Sequence, residues 1–239
     1  APGAITDDTA MSLALGDALL EAEGIDAPTI AHHFDQWMRS RPIDIGNTVR
    51  RGLLHYRQSG ATEVPESAHD AGNGACMRVL PMALATCLLD RTAISRAVTL
   101  QSHITHHNPL SDAGTECVVA LVHGGLVGQE KNALLNGTIR PWVDRHPEFA
   151  FRRKRIDNPS GYIVETLRAV LQAFIDTDSF EECLIEIVNR GGDADTTGAI
   201  AGMIAGAYYG EAAIPRRWLN RLDVEIAARC QRQAVALMA

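Results

Sequence analysis

The sequence predicts an all-α fold in a single multi-helix domain. Apolar residues recur at the three- and four-residue spacing of helices through most of the chain. Period-two strand patterns between hairpin turns are almost absent, and several helical stretches carry recognisable start and stop residues. We therefore expect residues 1–239 to form one domain, which is long enough to bury a sizeable core.

The first part of the chain predicts three helices and a fourth, interrupted one. The three are residues 11–23, which Gly24 can close, 29–39, which end before Pro42, and 47–60, which Asn47 can cap. A long apolar stretch then covers residues 75–89. It contains Pro81, which should kink or restart the helix because proline lacks a backbone N–H.

The second part predicts four further helices around one long connection. Residues 111–127 and 161–175 carry apolar stripes, and Ser179 with Glu182 forms a capping box before a helix that Gly191 and Gly192 end. Residues 194–209 follow, with Gly198, Gly202 and Gly206 at steps of four, which favours close approach of another backbone. Residues 128–160 are polar and basic, and indicate a surface connection with room for one short helix.

Composition argues against several classes of protein. The chain has 22 Lys+Arg against 29 Asp+Glu, a formal net charge of −7, so nucleic acid is not an expected partner. No run approaches the roughly 18 apolar residues of a membrane span, and the first residues do not resemble a signal peptide. The five cysteines are scattered and lack a C-x-x-C pair, which favours free thiols in the cytoplasm.

Two short acidic segments are the best candidates for chemistry. Thr6-Asp7-Asp8-Thr9 precedes the first helix, and residues 191–198, GGDADTTG, precede the glycine-lined helix. Helix capping is the simpler interpretation of either segment alone, because Asp and Thr are preferred N-caps. A cap needs one side chain, however, and these segments hold four carboxylates and several hydroxyls. If they converge, like-charge repulsion requires compensation by a divalent cation or two.

The donor atoms of these segments predict which metals could bind. The candidate ligands offer only hard oxygen atoms; they are Thr6, Asp7, Asp8, Asp193, Asp195 and Thr196. Such a set favours Mg²⁺ or Mn²⁺, or Ca²⁺, over zinc or copper. The double glycine before Asp193 allows a tight approach of the loop to such a site.

The two acidic motifs together resemble those of the ADP-ribosylglycohydrolase family. Three other segments agree with the family pattern: residues 42–48, PIDIGNT; 71–78, AGNGACMR; and 103–108, HITHHN. The resemblance extends from Gly3 to about Leu222 and is strongest for the bacterial dinitrogenase reductase-activating glycohydrolases. Family members usually begin some tens of residues earlier, with a helix that carries an acidic residue near the site. This segment is not part of the present sequence, so a solvated edge of the core is expected.

The resemblance implies a helical bundle with a binuclear Mn²⁺ or Mg²⁺ cleft. Its ligands would be the six oxygen-donor residues already named, with Asp7 and Asp8 taking part in catalysis. The family cleaves the N-glycosidic bond between ADP-ribose and a protein side chain, in this subgroup an arginine. The implied substrate is ADP-ribosylated dinitrogenase reductase. Removal of ADP-ribose from this protein restores nitrogenase activity. The resemblance also implies control by a PII-type signalling protein and membrane association only through a partner.

Further site residues combine sequence context with the resemblance. Asp44 lies in a short loop between two predicted helices and is our candidate acid, base or substrate orienter. Asn47 alone is more simply a helix cap, although it is assigned to substrate binding with Asn73 and Gly74. The turn at Asn73-Gly74 opens a predicted helix, whose amides could hold a diphosphate.

Two aromatic candidates have competing interpretations. His103-x-x-His106-His107 suggests part of a zinc site, but no Cys or third helical His completes it. A polar loop with one buried histidine is simpler, and the resemblance instead places His106 in the substrate cleft. Tyr162 is either a core aromatic or a stacking partner for ADP-ribose.

Three functional hypotheses follow from the sequence. The first is a metal-dependent ADP-ribosylarginine hydrolase. The second is an ADP-ribose-binding or structural relative without catalysis, since a fold does not fix function. The third is a metal-dependent nucleotide phosphohydrolase, because paired oxygen-liganded metals also suit phosphoryl transfer.

Overall fold

The computed structural model describes residues 3–239, which form an α-helical bundle. Its helices are α1 Asp7–Glu21, α2 Ala27–Arg39, α3 Asn47–Ser59, α4 Leu80–Ala85, α5 Arg91–His103, α6 Pro109–Leu126, α7 Lys131–Leu134, α8 Arg140–Arg145, α9 Ile163–Asp176, α10 Phe180–Val188, α11 Ala194–Tyr209, α12 Arg216–Leu219 and α13 Val224–Leu237. A π-helical turn, Leu135–Ile139, joins α7 to α8. Among the described residues the extended pairing is a single bridge between Gly72 and Tyr162. The predicted all-α class is confirmed.

The apolar stripes determine how the helices pack. Helix α11 packs against α6, α9 and α10, whereas α1 packs against α2, α4 and α13. A smaller contact between α1 and α11 joins these two groups of helices. This contact between α1 and α11 brings the acidic segments at their N-termini to one place.

Most predicted helices are present, with shifted ends. The first begins at Asp7 rather than Met11, so the acidic pair lies in its first turn. Helix α3 begins at Asn47 itself, and its N-cap is Gly46, so the predicted Asn47 cap is wrong. The Ser179 hydroxyl accepts from the Glu182 amide, as expected of a capping box.

The predicted restart at Pro81 is confirmed, but the helical stretch at residues 75–89 is much shorter than expected. Residues 74–78 form a buried turn, and α4 covers only six residues, starting just before Pro81. The turn carries Arg78, whose fully buried guanidinium is hydrogen-bonded to Gln101 of α5. Burial of this charge fixes the turn where apolar periodicity predicted a helix.

Four helical regions were not predicted from periodicity, and the shortest of them is α12. The connection 128–160 contains α7, the π-helical turn and α8 rather than one short helix. Helix α5 was missed because its buried side includes Gln101 and Ser102, which break the apolar stripe. Helix α13 was missed because Gln233 is its one buried residue.

The glycine line of α11 does not mediate the predicted close backbone approach. A Cβ at Gly198 would meet only the Val188 side chain, and at Gly206 it would meet open space. The close approach lies instead at Gly125 of α6, where a Cβ would be 2.9 Å from the Ala207 backbone of α11. The helices α6 and α11 therefore touch through a glycine of α6.

A surface groove and the length and hydropathy of the helices complete the description of the fold. An apolar groove of about 540 Å³ runs beside Asp8 and is lined by residues of α1, α4, α11 and α13. In the part of the chain from residue 3 onward, no helix is both long and apolar enough to cross a membrane.

Candidate metal centre and cleft

The two acidic segments meet at the N-termini of α1 and α11. Carboxylate oxygens of Asp7, Asp8 and Asp195 lie within 4.8 Å of one another. Asp8 is buried, Asp7 is half-buried and Asp195 is exposed, so the cluster is open to solvent on one side. The structure thus brings together residues that are far apart in the sequence.

Helix capping does not account for these side chains. Thr6 is the N-cap of α1 and Asp193 that of α11, yet within residues 3–239 neither side chain caps a backbone amide. The Thr6 hydroxyl instead donates to Asp8 Oδ2 at 2.7 Å. The Asp193 carboxylate accepts from the Asn73 side chain at 2.7 Å. The polar groups are therefore directed towards one another rather than towards the helix ends.

The carboxylates of the cluster repel one another. Burial raises the pKa of Asp7 to about 6, and repulsion by Asp8, Asp44 and Asp195 adds to this effect. Burial also raises the pKa of Asp8, although a hydrogen bond from Thr6 partly offsets it. Carboxylates whose pKa values are raised in this way are characteristic of functional sites.

The cluster fits a divalent cation. Among the described residues, Asp8 Oδ1 is buried and has no hydrogen-bond partner. A buried carboxylate oxygen without a donor is costly, and a bound cation would compensate it. The donors of Asp7, Asp8 and Asp195 are all carboxylate oxygens, which are the ligands that Mg²⁺ and Mn²⁺ prefer.

Asp193 and Thr196 occupy the edge of this cluster. Burial raises the pKa of Asp193, while the hydrogen bond from Asn73 acts in the opposite direction. The same Asn73 amide nitrogen also donates to Thr166 Oγ1 of α9 at 3.0 Å. Thr196 is buried and lines the cleft, where its side chain lowers the pKa of Asp8 and Asp193.

The double glycine before α11 sets the position of its acidic residues. Gly191 and Gly192 have φ values of +73° and +64°, in the region that favours glycine. A Cβ at Gly192 would lie 2.3 Å from the carbonyl oxygen of Pro159, and the Asp193 amide donates to the same oxygen at 2.8 Å. The turn can pass this close to Pro159 only without a side chain.

His106 forms a buried wall of the cleft. Arg78 donates to Thr105 Oγ1 at 2.9 Å, and that hydroxyl lies 2.8 Å from His106 Nδ1. Burial, with the nearby charges of Arg78 and Arg51, lowers the pKa of His106 to about 3. His106 is therefore a neutral imidazole in the cleft wall.

The cleft has a volume of about 270 Å³ and collects most of the predicted site residues. Its lining includes Asp7, Asp44, Asn47, Asn73, Gly74, His106, Asp193, Asp195 and Thr196. Asp44 and Asn47 are exposed at its rim. Tyr162 is 40% exposed and does not line this cavity, so it is not a core aromatic. Its neighbour Gly161 lines the cleft instead.

The turn at Asn73 and Gly74 differs from its predicted form. It does not open a helix, and the Asn73 backbone N–H donates to the carbonyl oxygen of Gly161 at 2.9 Å. A Cβ at Gly74 would lie 2.8 Å from His106 Cε1, so this glycine makes room for the imidazole. Its part in holding a diphosphate stays a prediction.

Sequence reasoning missed three supporting residues, Arg78, Thr105 and Thr166. Thr166 holds Asn73 across 93 positions, and Arg78 donates across 27 positions to Thr105, which contacts its neighbour His106. Arg78 belongs to the segment 71–78 that carries the family resemblance, which was the available signal. Thr105 and Thr166 have no distinctive local pattern.

Comparison with protein families decides the classification. A model described as ADP-ribosylglycohydrolase matches residues 1–238. The chain belongs to the ADP-ribosylglycohydrolase family. It is 46% identical over 238 residues to ADP-ribosyl-[dinitrogen reductase] glycohydrolase of Rhodospirillum rubrum, covering 100% of this chain and 80% of that protein. The chain is therefore an enzyme of the glycohydrolase class.

Other members of the family agree with this classification. ADP-ribosylarginine hydrolase Tri1 of Serratia proteamaculans is 30% identical over 237 residues, which are 92% of this chain and 64% of that protein. A solved ADP-ribosylglycohydrolase-related protein complex superimposes with a TM-score of 0.87 at 34% identity. That alignment covers 99% of this chain and 82% of the other, so the fold prediction is confirmed.

Proposed function

We propose that this enzyme uses divalent cations to remove ADP-ribose from an arginine side chain of a target protein. The observation that carries the proposal is the convergence of Asp7, Asp8 and Asp195 with an unpartnered buried oxygen on Asp8. The name of the Rhodospirillum rubrum relative supports ADP-ribosylated dinitrogenase reductase as the target. Removal of the modification would restore nitrogenase activity.

The carboxylates at the starts of α1 and α11 would hold two Mn²⁺ or Mg²⁺ ions. Asp7, Asp8 and Asp195 form the inner group, and Thr6, Asp193 and Thr196 lie around it. When bound, the cations would supply Lewis acidity for ribose hydroxyls and lower the pKa of water. Their charge would also neutralise the repulsion that raises the pKa of Asp7.

The reaction requires proton transfer beside a developing positive charge. Cleavage of the bond between ribose C1″ and the guanidine nitrogen builds positive charge on the ribose, as in other glycoside hydrolyses. Water supplies a hydroxyl to C1″, and a proton goes to the departing guanidine. We assign this proton transfer, or the orientation of the guanidinium, to Asp44, which lies at the rim and acts electrostatically on Asp7.

The other cleft residues would orient the nucleotide. His106 presents a neutral imidazole, and Asn73 is fixed by two hydrogen bonds. Asn47 at the exposed rim and Gly74 line the same cleft. The exposed rim suits a ribose that is still attached to a protein, because one end of the substrate must project into solvent. Tyr162, outside the cavity, would stack on the adenine only beyond this rim.

The cellular setting is part of the proposal. All five cysteines are unpaired in the structure, which is consistent with the reducing cytoplasm where we place the reaction. Control by a PII-type protein and partner-dependent membrane association stay predictions from the resemblance.

Product analysis tests the proposal against its alternatives. The full chain is incubated with Mn²⁺ or with a chelator on a protein ADP-ribosylated at arginine and, separately, on a nucleotide phosphate. We expect intact ADP-ribose and unmodified arginine, with metal only. Binding of ADP-ribose without release would establish the non-catalytic alternative, and free phosphate would establish the phosphohydrolase.

A further inference from the structure

A second cluster of metal-ligating side chains lies outside the carboxylate site. It consists of Glu63, His103 at the end of α5, and His107, and their ligand atoms lie within 4.8 Å of one another. Glu63 is exposed and both histidines are half-buried, so solvent reaches the cluster. We propose that these three side chains bind one zinc ion, with water as the fourth ligand.

The two nitrogen–oxygen separations in this cluster are longer than strong hydrogen bonds. Glu63 Oε1 lies 3.4 Å from Nδ1 of His103 and 3.4 Å from Nδ1 of His107. Hydrogen bonds between nitrogen and oxygen are normally about 2.7–3.2 Å long. Two ligand atoms that are each about 2.0–2.1 Å from a tetrahedral zinc ion are roughly 3.3 Å apart.

His103 has the supporting partner that metal-binding histidines usually have. Its Nε2 lies 2.9 Å from Asp112 Oδ2 of α6, so a proton on Nε2 leaves Nδ1 free to coordinate. Metal-ligating histidines almost always donate their second nitrogen to a carboxylate, carbonyl or water. Asp112 Oδ1 is buried without a partner among the described residues, so Oδ2 makes the contact with His103.

The His107 ring must turn out of its stack on His103 before both Nδ1 atoms can bind one ion. Its Nδ1 lies 2.8 Å from the carbonyl oxygen of Val64, and its ring stacks on that of His103 at 3.7 Å between centroids. Coordination exchanges the hydrogen bond to Val64 for a metal bond. The carbonyl of Val64 lies next to Glu63, so it stays at the rim of the same site.

The donor set distinguishes this site from the carboxylate cluster. Two imidazoles with one carboxylate suit zinc, whereas Mg²⁺ and Mn²⁺ prefer oxygen ligands. The histidine spacing was visible in the sequence, but the third ligand was not. Glu63 precedes His103 by 40 positions and meets it only in the folded chain.

A zinc ion here would cross-link two segments that support the cleft. The Val64 amide donates to the carbonyl of His103 at 2.9 Å, and the Ser67 amide donates to that of His107 at 3.0 Å. His106, which lies between the two ligands, packs against Gly72 and Gly74 in the cleft wall. Zinc bound to Glu63, His103 and His107 would therefore stabilise the cleft wall around His106 without contacting the substrate.

Zinc titration of the full chain tests the proposal. Saturating Mg²⁺ occupies the carboxylate cluster, and Zn²⁺ binding is then followed by calorimetry and by the melting temperature. We expect one zinc per chain, weakened at least about tenfold in Glu63→Gln and His107→Gln and about 10- to 100-fold in Asp112→Asn. His69→Gln, which changes an exposed histidine of the same segment, should bind zinc like the wild type.

Two results would overturn the zinc site. The first is zinc affinity in Glu63→Gln equal to that of the wild type, and the second is the absence of zinc binding in the presence of Mg²⁺. Because Glu63 is 64% exposed on its side chain, its variant should fold normally, which an unchanged metal-free melting temperature verifies. Anomalous diffraction at the zinc edge locates the ion and detects binding elsewhere.

Discussion

At the scale of single residues, the carboxylates of Asp7, Asp8 and Asp195 lie close together although they repel one another. Burial and their mutual repulsion raise the pKa of Asp7 to about 6. The sequence could predict these residues because four carboxylates in two short motifs exceed what capping requires. It could not predict that Asn73 holds Asp193, since that contact spans 120 positions.

Removal of one carboxylate should have opposite effects with and without metal. In Asp195→Asn without metal, relief of repulsion should increase the free energy of unfolding by about 0.5 kcal/mol, as for other exposed charge pairs. With Mn²⁺, the variant should lose the increase in melting temperature that binding gives the wild type. Asp144→Asn, at an exposed carboxylate of α8, serves as the control. Equal Mn²⁺ stabilisation in the Asp195 variant would refute its assignment as a ligand.

Asp44 should matter for turnover but not for metal binding. We expect Asp44→Asn to lower kcat by about 10²-fold or more, the usual contribution of a proton-transferring group. Its Mn²⁺-induced increase in melting temperature should match that of the wild type, because Asp44 stands at the rim rather than in the inner group. Near-normal turnover with metal bound would show that Asp44 has no such role.

Burial of His106 should make stability depend on pH. An unfolded histidine titrates near pH 6.5, whereas burial lowers the pKa of folded His106 to about 3. Between these values the unfolded chain binds one more proton at this site, so the free energy of unfolding falls as the pH falls. The contribution is about 1.4 kcal/mol per pH unit, and His106→Gln should remove it.

Urea unfolding of the metal-free protein at several pH values between 4.5 and 7.5 measures this effect. Other titrating groups are common to both proteins, so the difference between the two profiles isolates His106. The wild-type profile should be the steeper one below pH 6.5. Parallel profiles would mean that His106 is protonated in the folded protein.

At the scale of elements, local patterns predicted helices whose buried side is apolar and failed where that side is polar. Helix α9 follows its apolar stripe closely, because nearly all of its inward residues are apolar. Helix α5 buries Gln101, which binds the Arg78 guanidinium of a distant turn. Asp90, whose carboxylate accepts from the Ala93 amide, was the one local signal of α5.

The turn before α11 gives a prediction at this scale. Gly192→Ala should lower the free energy of unfolding by at least about 2 kcal/mol, because the left-handed conformation is strained for alanine and its Cβ would collide with Pro159. Gly206→Ala, inside α11 with open space around it, should instead stabilise by about 0.5–1 kcal/mol. Denaturant unfolding of both variants measures the contrast, and equal effects would contradict this account of the turn.

At the scale of the whole molecule, the cleft exists because helices from both ends of the chain pack together. It is lined by the start of α1, the loop before α3, the turn at residues 72–77 and the start of α11. Periodicity predicted the helices that carry these segments, and the family resemblance predicted that they belong to one site. Their mutual distances depend on tertiary packing, which no local pattern specifies.

Anomalous diffraction from crystals grown with Mn²⁺ tests the central claim of this account most directly. The account predicts manganese between the N-termini of α1 and α11, within coordination distance of Asp7, Asp8 and Asp195. Manganese bound elsewhere, or these carboxylates left without metal at saturating Mn²⁺, would contradict it.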